Sequence, residues 1–261
     1  MERIRADPKK GLGVCHNSLT VHMSIFIYNR CLLWLTKNMP SILSNKRRQI
    51  IQTVTLSLYR FDTIWHKAWA FVMMGLARVS LTKTPHLQFW KLLGSGTGQG
   101  FTPIPNWGVY AVLCVWDNGA DVRANLEHNP LFKRYRERAT QTCTIFLEPT
   151  SSRGQWSGQT PFDPRPNTNA GPVAILTRAT LRWSKILQFW GQAPAISKRI
   201  GENRKVMFKI GLGEVPLRQQ LTFSIWPNVS DMAQFAHAHG AHKSAIAQVR
   251  QGRWFKEELY A

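Results

Sequence analysis

The sequence predicts an α+β fold in which a β-α-β-β-α-β unit occurs twice and forms antiparallel sheets. Strand-type runs alternate with helical runs in the same order in the two halves of the chain. Residues 109–122 also align with the segment around Trp226 at an offset of 110, and 89–96 align with 207–214 at an offset of 118. This pattern is that of a duplicated ferredoxin-like unit.

The first half is predicted to span 49–150. Residues 49–61 alternate apolar and polar positions and are rich in β-branched residues, which predicts a strand. Asp62 is the expected cap of a helix over 63–79. The remaining expected elements are a strand from 88 that ends in a Gly/Pro loop, a strand at 109–116, a helix at 121–126, a basic segment at 131–139 and a strand at 143–149.

The second half is predicted to span 172–261, after a Pro- and Asn-rich linker at 151–171. The same order of elements returns in this half. Strands are expected at 172–181, 206–214 and 220–227, a helix at 184–197, and a long C-terminal helix from about Ser230.

Residues 1–48 are predicted to be a separate basic extension and are a candidate for disorder, because their apolar residues follow no clean period. Charge is spread along the chain, with +7 in 1–48, +5 in 49–170 and +8 in 171–261, which gives the net +20. A charge of this size favours anionic partners, either nucleic acid or the surface of an acidic membrane.

The composition indicates a cytoplasmic, soluble protein that associates at most peripherally with a membrane. The four cysteines form no C-x-x-C pair, so neither a disulfide framework nor a zinc ribbon is expected. The longest apolar run, at 23–35, is too short for a transmembrane helix and contains Asn29 and Arg30. Signatures of serine hydrolases and paired acid–base carboxylates are missing.

His242 is the candidate ligand for a metal or a haem iron. Ala245, Ile246 and Val249 follow it at i+3, i+4 and i+7, so the histidine lies on the apolar stripe of the expected helix. A neutral imidazole with a free lone pair can bind iron, whereas the alternative is a buried histidine that is hydrogen-bonded to backbone. A zinc-type site made by His237, His239 and His242 lacks a nearby carboxylate.

Two further patterns bear on the ligand. The glycine-rich loop at 94–100 matches neither phosphate-binding template, so a loop over a pocket mouth is expected. The chain contains 11 tryptophans and 13 phenylalanines, and a pocket among them would suit a large, flat, apolar ligand. Arg78, Arg178 and Arg182 are candidates to pair with acidic groups of such a ligand, or are surface charges.

Seven blocks of the chain are distinctive: FWKLLGSGTGQGFTPIPN (89–106), VYAVLCVW (109–116), WSGQTPF (156–162), GPVAILTRATL (171–181), IGLGEVP (210–216), QLTFSIWP (220–227) and HKSAIAQVRQGRWFKEELYA (242–261). They cover much of residues 70–261. In this order they resemble the spheroidene monooxygenase family, in which the C-terminal block is expected to run on further.

The resemblance implies an enzyme that oxidises acyclic, spheroidene-like carotenoids at C-2 to hydroxy and keto products. It implies haem b with iron as cofactor, O2 as co-substrate, electrons from reduced ferredoxin, and a dimeric α/β-barrel type of fold that allows a homodimer. Because a carotenoid partitions into the lipid bilayer, the basic surface of the protein is expected to dock on anionic lipid.

Within the resemblance, His242 is the expected haem ligand, Arg178 the expected propionate or distal contact, and Trp156 the expected pocket wall. Three alternatives remain open at this point. One is a haem enzyme of the same fold with another reaction, such as dehydration or peroxidation, and another is a non-enzymatic haem-binding protein of that fold. The third is a nucleic-acid-binding protein, suggested by the charge and by the basic run at 131–139, which lacks an aromatic sheet motif.

Overall fold

The computed structural model describes residues 25–26, 52–98, 102–119, 121–166, 171–191, 205–238 and 254–261. Within these ranges the strands and helices fall into two units of the order β-α-β-β-α-β. A two-residue strand, β1 (Ile25–Phe26), precedes them and pairs with the last strand of the first unit. This strand is the one described part of the predicted N-terminal extension.

The first unit contains four strands and three helices. They are β2 (Thr53–Arg60), α1 (Ile64–Thr82), β3 (Leu87–Gly96), β4 (Pro105–Trp116), α2 (Val122–His128), α3 (Pro130–Arg138) and β5 (Gln141–Leu147).

The second unit follows a short strand, β6 (Arg153–Gly154), in the region predicted to be a linker. A 3-10 turn (Trp183–Lys185) leads from its first strand into its first helix. The elements are β7 (Val173–Leu181), α4 (186–191), β8 (Phe208–Gly213), β9 (Gln219–Trp226), α5 (Val229–Ala238) and β10 (Phe255–Tyr260).

The described strands form one sheet in the order β1-β5-β2-β4-β3-β8-β9-β7-β10-β6, with antiparallel neighbours. Each unit therefore has the strand order 4-1-3-2 of a ferredoxin-like fold, and the second unit runs as the mirror of the first along the sheet. The predicted fold class is confirmed.

The two units are joined edge to edge by β3 and β8. Only two residue pairs make this seam, Gly94 opposite Gly213 and Ser95 opposite Leu212. A Cβ on Gly213 would lie 2.6 Å from the backbone oxygen of Gln219, so this strand end tolerates only glycine.

Alternation along the strands sends one face of each unit into a single shared core. Leu56 and Leu58 of β2 lie in the same apolar cluster as Leu176 of β7 and Phe223 of β9. In the first unit the opposite face packs under α1, α2 and α3, with Tyr59 and Trp116 among the residues of this second cluster.

The structure corrects three details of the sequence prediction. Thr63, not Asp62, caps α1, because its side chain accepts a hydrogen bond from the backbone N–H of His66 at 3.2 Å. The basic run at 131–139 is largely helix α3, whose apolar side is buried. The chain also ends in a strand, β10, that was not predicted because Phe255–Tyr260 carries one lysine and two glutamates.

A further correction concerns the internal repeat. With β4 aligned on β9 at the offset of 110, Phe89 pairs with Val115 and Phe208 pairs with Ile225, its equivalent. The offset between β3 and β8 is therefore 119 rather than 118. A shift of one residue exchanges the two faces of a strand. The corrected offset therefore determines which residues of the first unit are equivalent to which residues of the second.

Candidate functional site

Arg178 and Trp156, two of the three residues predicted to contact a cofactor, lie together in the shared core. Arg178 is on β7 and is 1% exposed, and the Trp156 side chain is fully buried. The centre of the guanidinium lies 5.7 Å from the centroid of the Trp156 ring, within range of a cation–π contact. The residues around them form what is called here the Arg178 cluster: Lys91, Trp156, Arg178, Glu214 and Glu257.

Two carboxylates neutralise the buried guanidinium. Arg178 Nη1 donates to Glu257 Oε2, and Nη2 lies 3.6 Å from Glu214 Oε1. Neither Nε nor Nη2 of Arg178 has a hydrogen-bond partner in the described structure. A buried charge is tolerated when it is paired in this way, and removing one partner is costly.

Glu257 is oriented by a tight turn as well as by Arg178. Ser157 (φ 56°) and Gly158 (φ 74°) are the central residues of a turn closed by Trp156 and Gln159, with the positive φ values of a type I′ turn. The backbone N–H groups of Gly158 and Ser157 donate to the Glu257 carboxylate at 2.7 and 3.1 Å.

This surrounding favours the ionised form of Glu257. Burial raises the pKa of its carboxyl group, but hydrogen bonds from the Gly158 and Ser157 backbone and the charge of Arg178 outweigh that cost. The pKa of Glu257 therefore lies below its ordinary value. The carboxylate is a fixed negative charge at neutral pH.

Glu214 joins Trp156 and Lys91 to the cluster. Trp156 Nε1 donates to Glu214 Oε1 at 2.6 Å, and Lys91 Nζ lies 2.9 Å from Glu214 Oε2. Lys91 also donates to Ser157 Oγ at 2.6 Å. With Lys91 and Arg178 positive and the two glutamates negative, the cluster has no net charge.

The duplication shows that the cluster replaces apolar core residues. Arg178 pairs with Leu221 and corresponds to Leu58, which pairs with Ala111 in the first unit. By the same registers, Lys91 corresponds to Ile210. Each unit thus contributes one cation at a position where the other unit has an aliphatic side chain.

The opposite face of the second unit differs from its counterpart in another way. This surface, called here the α5-side face, packs against α5, since the rings of Trp226 and Phe235 lie 5.1 Å apart. It is defined by residues whose side chains are small or polar: Thr177, Ala179, Lys209, Gly211, Thr222 and Ser224.

At five of the six corresponding positions the first unit has a larger or more apolar residue, the exception being Ser57 at the position of Thr177. Tyr59 corresponds to Ala179, and Leu92 to Gly211. In the first unit these side chains fill the space under the helices. The strands of the second unit therefore carry less side-chain bulk on the α5-side face, which makes the region between sheet and helix the candidate ligand site.

Lys209 adds a cation to the α5-side face. Burial lowers the pKa of its ammonium group to about 8, so the group remains mostly protonated at neutral pH. Lys209 corresponds to Trp90 in the first unit. Sequence reasoning missed this residue because the offset of 118 aligned it with Lys91.

His242, the third predicted contact, lies outside the described residues, and so does His239. His242 follows the end of α5 by four positions in the sequence. Within the described part of the chain, no group of three or more His, Cys, Asp or Glu side chains could hold a metal ion. An open cleft of 430 Å³ beside α2 is lined by residues of the first unit, among them His86 and Asp121, and includes no member of the Arg178 cluster.

Comparison with known proteins identifies the family. No protein-family model matches the chain. A spheroidene monooxygenase of Rhodobacter capsulatus is 45% identical over 210 residues, which are 79% of this chain and 87% of that protein. The chain belongs to the spheroidene monooxygenase family. The resemblance inferred from the sequence is confirmed.

Two other family members support the assignment. The spheroidene monooxygenase of Cereibacter sphaeroides is 46% identical over 213 residues, which are 81% of this chain and 66% of that protein, just under two thirds of its length. That of Rubrivivax gelatinosus is 33% identical over 194 residues, covering 74% of this chain and 75% of that protein.

One solved structure supports the fold. An aldoxime dehydratase in complex with butyraldoxime superposes with a TM-score of 0.51 at 10% identity, covering 81% of this chain and 79% of that one. At this identity the likeness concerns the fold alone. The likeness agrees with the two ferredoxin-like units of this chain.

Proposed function

We propose that this chain is a monooxygenase that inserts oxygen from O2 into an acyclic carotenoid. The observation that carries the proposal is its 45% identity to a spheroidene monooxygenase over 87% of that protein's length. The α5-side face supports it, because small side chains there leave room for a large ligand under α5.

In its finer form, the proposal includes haem b as the cofactor, reduced ferredoxin as the electron donor, and C-2 of the carotenoid as the position oxidised to hydroxy and keto products. Bound haem iron would supply the O2 chemistry. The α5-side face fits a flat cofactor, since Gly211 and Ala179 offer little bulk and Lys209 offers a cation for a propionate. His242, shortly after α5, is the proposed iron ligand.

Arg178 and Trp156 fit such a cofactor poorly. Arg178 lies on the face of β7 opposite the α5-side face, Trp156 packs in the shared core on that same side, and the charge of Arg178 is already balanced by Glu214 and Glu257. A propionate there would be a third carboxylate for one guanidinium and one ammonium group. Their proposed role is therefore to hold β3, β7 and β10 together behind the ligand face.

The proposed partners follow from charge. A net +20 favours an acidic electron carrier such as ferredoxin, and a peripheral position on an anionic membrane that contains the substrate. A homodimer remains part of the proposal. Nucleic acid is a weaker candidate, because Arg136 of the basic run donates to the carbonyl oxygens of Leu126 and Glu127 and so ties α3 to α2.

The test is turnover of spheroidene by the haem-reconstituted protein with O2 and reduced ferredoxin, followed by chromatography and mass spectrometry. The expected products carry one added oxygen atom, first as an alcohol and then as a ketone. Lys209→Ala and His242→Ala should lose turnover, and His242→Ala should also alter the absorption spectrum of the reduced, CO-treated protein.

The control is Arg178→Leu combined with Glu257→Leu, in which part of the lost stability is recovered. Once circular dichroism shows that it is folded, this variant should keep the parent spectrum if Arg178 does not contact the cofactor. Stoichiometric haem without any carotenoid product would favour a non-enzymatic haem-binding protein. If the parent oxidises carotenoid without containing haem, the proposal of haem as cofactor is wrong, while the proposed reaction stands.

A further inference from the structure

The outer face of α1 is apolar, although it has no partner in the described structure. The inner face of this helix packs on the sheet through Ala70, Met73, Ala77 and Leu81. The outward positions recur at helical spacing on the opposite side. Six of them carry large, exposed apolar side chains: Ile64, Trp65, Phe71, Val72, Leu76 and Val79.

The patch continues beyond the helix. Trp107, at the start of β4, is 53% exposed, and its ring centroid lies 5.3 Å from that of Phe71. Single exposed apolar residues are ordinary, whereas a contiguous apolar surface of this extent is typical of an interaction site. The outer face of α1 together with Trp107 is called here the α1 patch.

Positive charge borders the α1 patch. Lys67 and Arg78 lie on one edge of α1, eleven residues apart, and Lys83 follows its end. The helix contains no Asp or Glu. An apolar stripe with tryptophan and a basic border is the composition of a helix that lies in the plane of a lipid interface.

The geometry of α1 agrees with lying on a bilayer. Its 19 residues give a length of about 28 Å at 1.5 Å per residue. No helix in the described ranges is long and apolar enough to cross a membrane. The two exposed tryptophans suit the headgroup region, where aromatic rings with one polar edge are enriched.

We propose that the α1 patch docks this protein on an anionic lipid surface. The inference rests on the proposed function in one respect, since an apolar carotenoid would be taken up from the same bilayer. It adds the element that makes the contact and the lipid chemistry that it requires.

Charge selects lipid over the other occupants. A second copy of the chain would bring another +20 to a patch with a basic border. Residues 1–51 carry nine Lys and Arg against two acids, so they would also bring positive charge. Anionic headgroups attract the border, while the acyl region receives the apolar side chains.

The experiment is sedimentation of the full-length protein, without carotenoid, with vesicles of phosphatidylcholine alone or mixed with phosphatidylglycerol. The parent should bind the anionic vesicles, bind neutral vesicles more weakly, and lose affinity as salt is raised. Trp65→Ser combined with Leu76→Ser should weaken binding at least about tenfold, because two large apolar side chains no longer enter the lipid.

The matched control is Trp183→Ser combined with Leu187→Ser. These two side chains are 70% and 89% exposed, against 81% and 63% for Trp65 and Leu76, and lie outside the α1 patch. The control variant should bind vesicles as the parent does. Equal loss in both variants, or no loss in the α1 variant, would overturn the proposal.

Two further readings separate docking from catalysis and from dimerisation. Turnover of detergent-dispersed carotenoid should be the same in the parent and the α1 variant, because the patch lies outside the proposed ligand face. The parent could instead bind neither kind of vesicle and be a dimer by light scattering, with the α1 variant a monomer. In that case a second copy of the chain covers the α1 patch, and the lipid-docking proposal is wrong.

Discussion

At the residue scale, the unusual choice in this chain is a charged side chain where its duplicate has leucine. Arg178 is 1% exposed and corresponds to Leu58. Burying a guanidinium costs several kcal/mol unless its charge is offset, and Glu257 and Glu214 provide that offset. The cluster therefore depends on all of its members being present.

Arg178→Leu should destabilise the fold by about 3–5 kcal/mol, because it leaves carboxylates in the core without their partner. Arg178→Leu combined with Glu257→Leu should recover part of that loss. The measurement is urea unfolding at constant m value. Arg60→Gln is the control, because Arg60 pairs with Asp62 at 3.0 Å on the surface and should cost at most about 1 kcal/mol. If Arg178→Leu lowers the free energy of unfolding by less than about 1 kcal/mol, water solvates the carboxylates of Glu214 and Glu257 in place of Arg178.

At the element scale, the turn at 156–159 shows how local backbone geometry supports a distant strand. Its two central residues have positive φ, and their N–H groups hold Glu257 of β10. Glycine adopts this conformation without cost because it has no Cβ, whereas residues with a Cβ adopt it at a cost in free energy. The turn thus connects the predicted linker region to the Arg178 cluster.

Gly158→Ala should destabilise the protein by about 1–2 kcal/mol, the cost of placing a Cβ in the left-handed region. Gly171→Ala is the matched control, since a Cβ at either glycine would meet nothing within 4 Å but only Gly158 has a positive φ. The control should be neutral or slightly stabilising. Thermal unfolding of both variants gives the comparison, and equal shifts in melting temperature would argue against the conformational cause.

Most elements could be predicted from sequence because periodicity and turn residues are local signals. The strand at 53–60 and helix α1 follow from apolar spacing alone. β10 could not be predicted in this way, because Glu257 and Lys256 interrupt the apolar pattern and Glu257 is stabilised only by residues far along the chain. Propensity carries no information on such partners.

The candidate site was predictable only in part for the same reason. Arg178 and Trp156 stand out in their sequence motifs, and the structure brings them together. Lys91, Glu214 and Glu257 gave no signal, since ion pairs between remote strands depend on register. The offset error of one residue hid the contrast between Gly211 and Leu92, which marks the α5-side face.

At the scale of the whole molecule, two units act as one because they share a core and an edge. The shared core joins side chains of both units, including Leu58 and Leu176. The edge is short, with two residue pairs between β3 and β8. Gly213 of this edge also lies close to Gln219 of its own unit, so a Cβ there would displace the end of β8 and test how the halves are coupled.

Gly213→Ala should destabilise the protein by about 1–3 kcal/mol, because its Cβ would lie 2.6 Å from the backbone oxygen of Gln219 and force β8 and β9 apart. Gly94 is paired directly with Gly213 across the seam, yet a Cβ on Gly94 would meet nothing within 4 Å. Gly94→Ala should therefore change stability by no more than about 0.5 kcal/mol.

Calorimetry distinguishes local from global effects of this substitution. The parent and Gly94→Ala should unfold in one transition, with equal calorimetric and van't Hoff enthalpies, because neither half can expose its share of the core alone. If the seam couples the units, Gly213→Ala should broaden or split that transition as well as lower its temperature. A lowered but still single transition would assign the coupling to the shared core, and equal losses in both variants would rule out the steric cause.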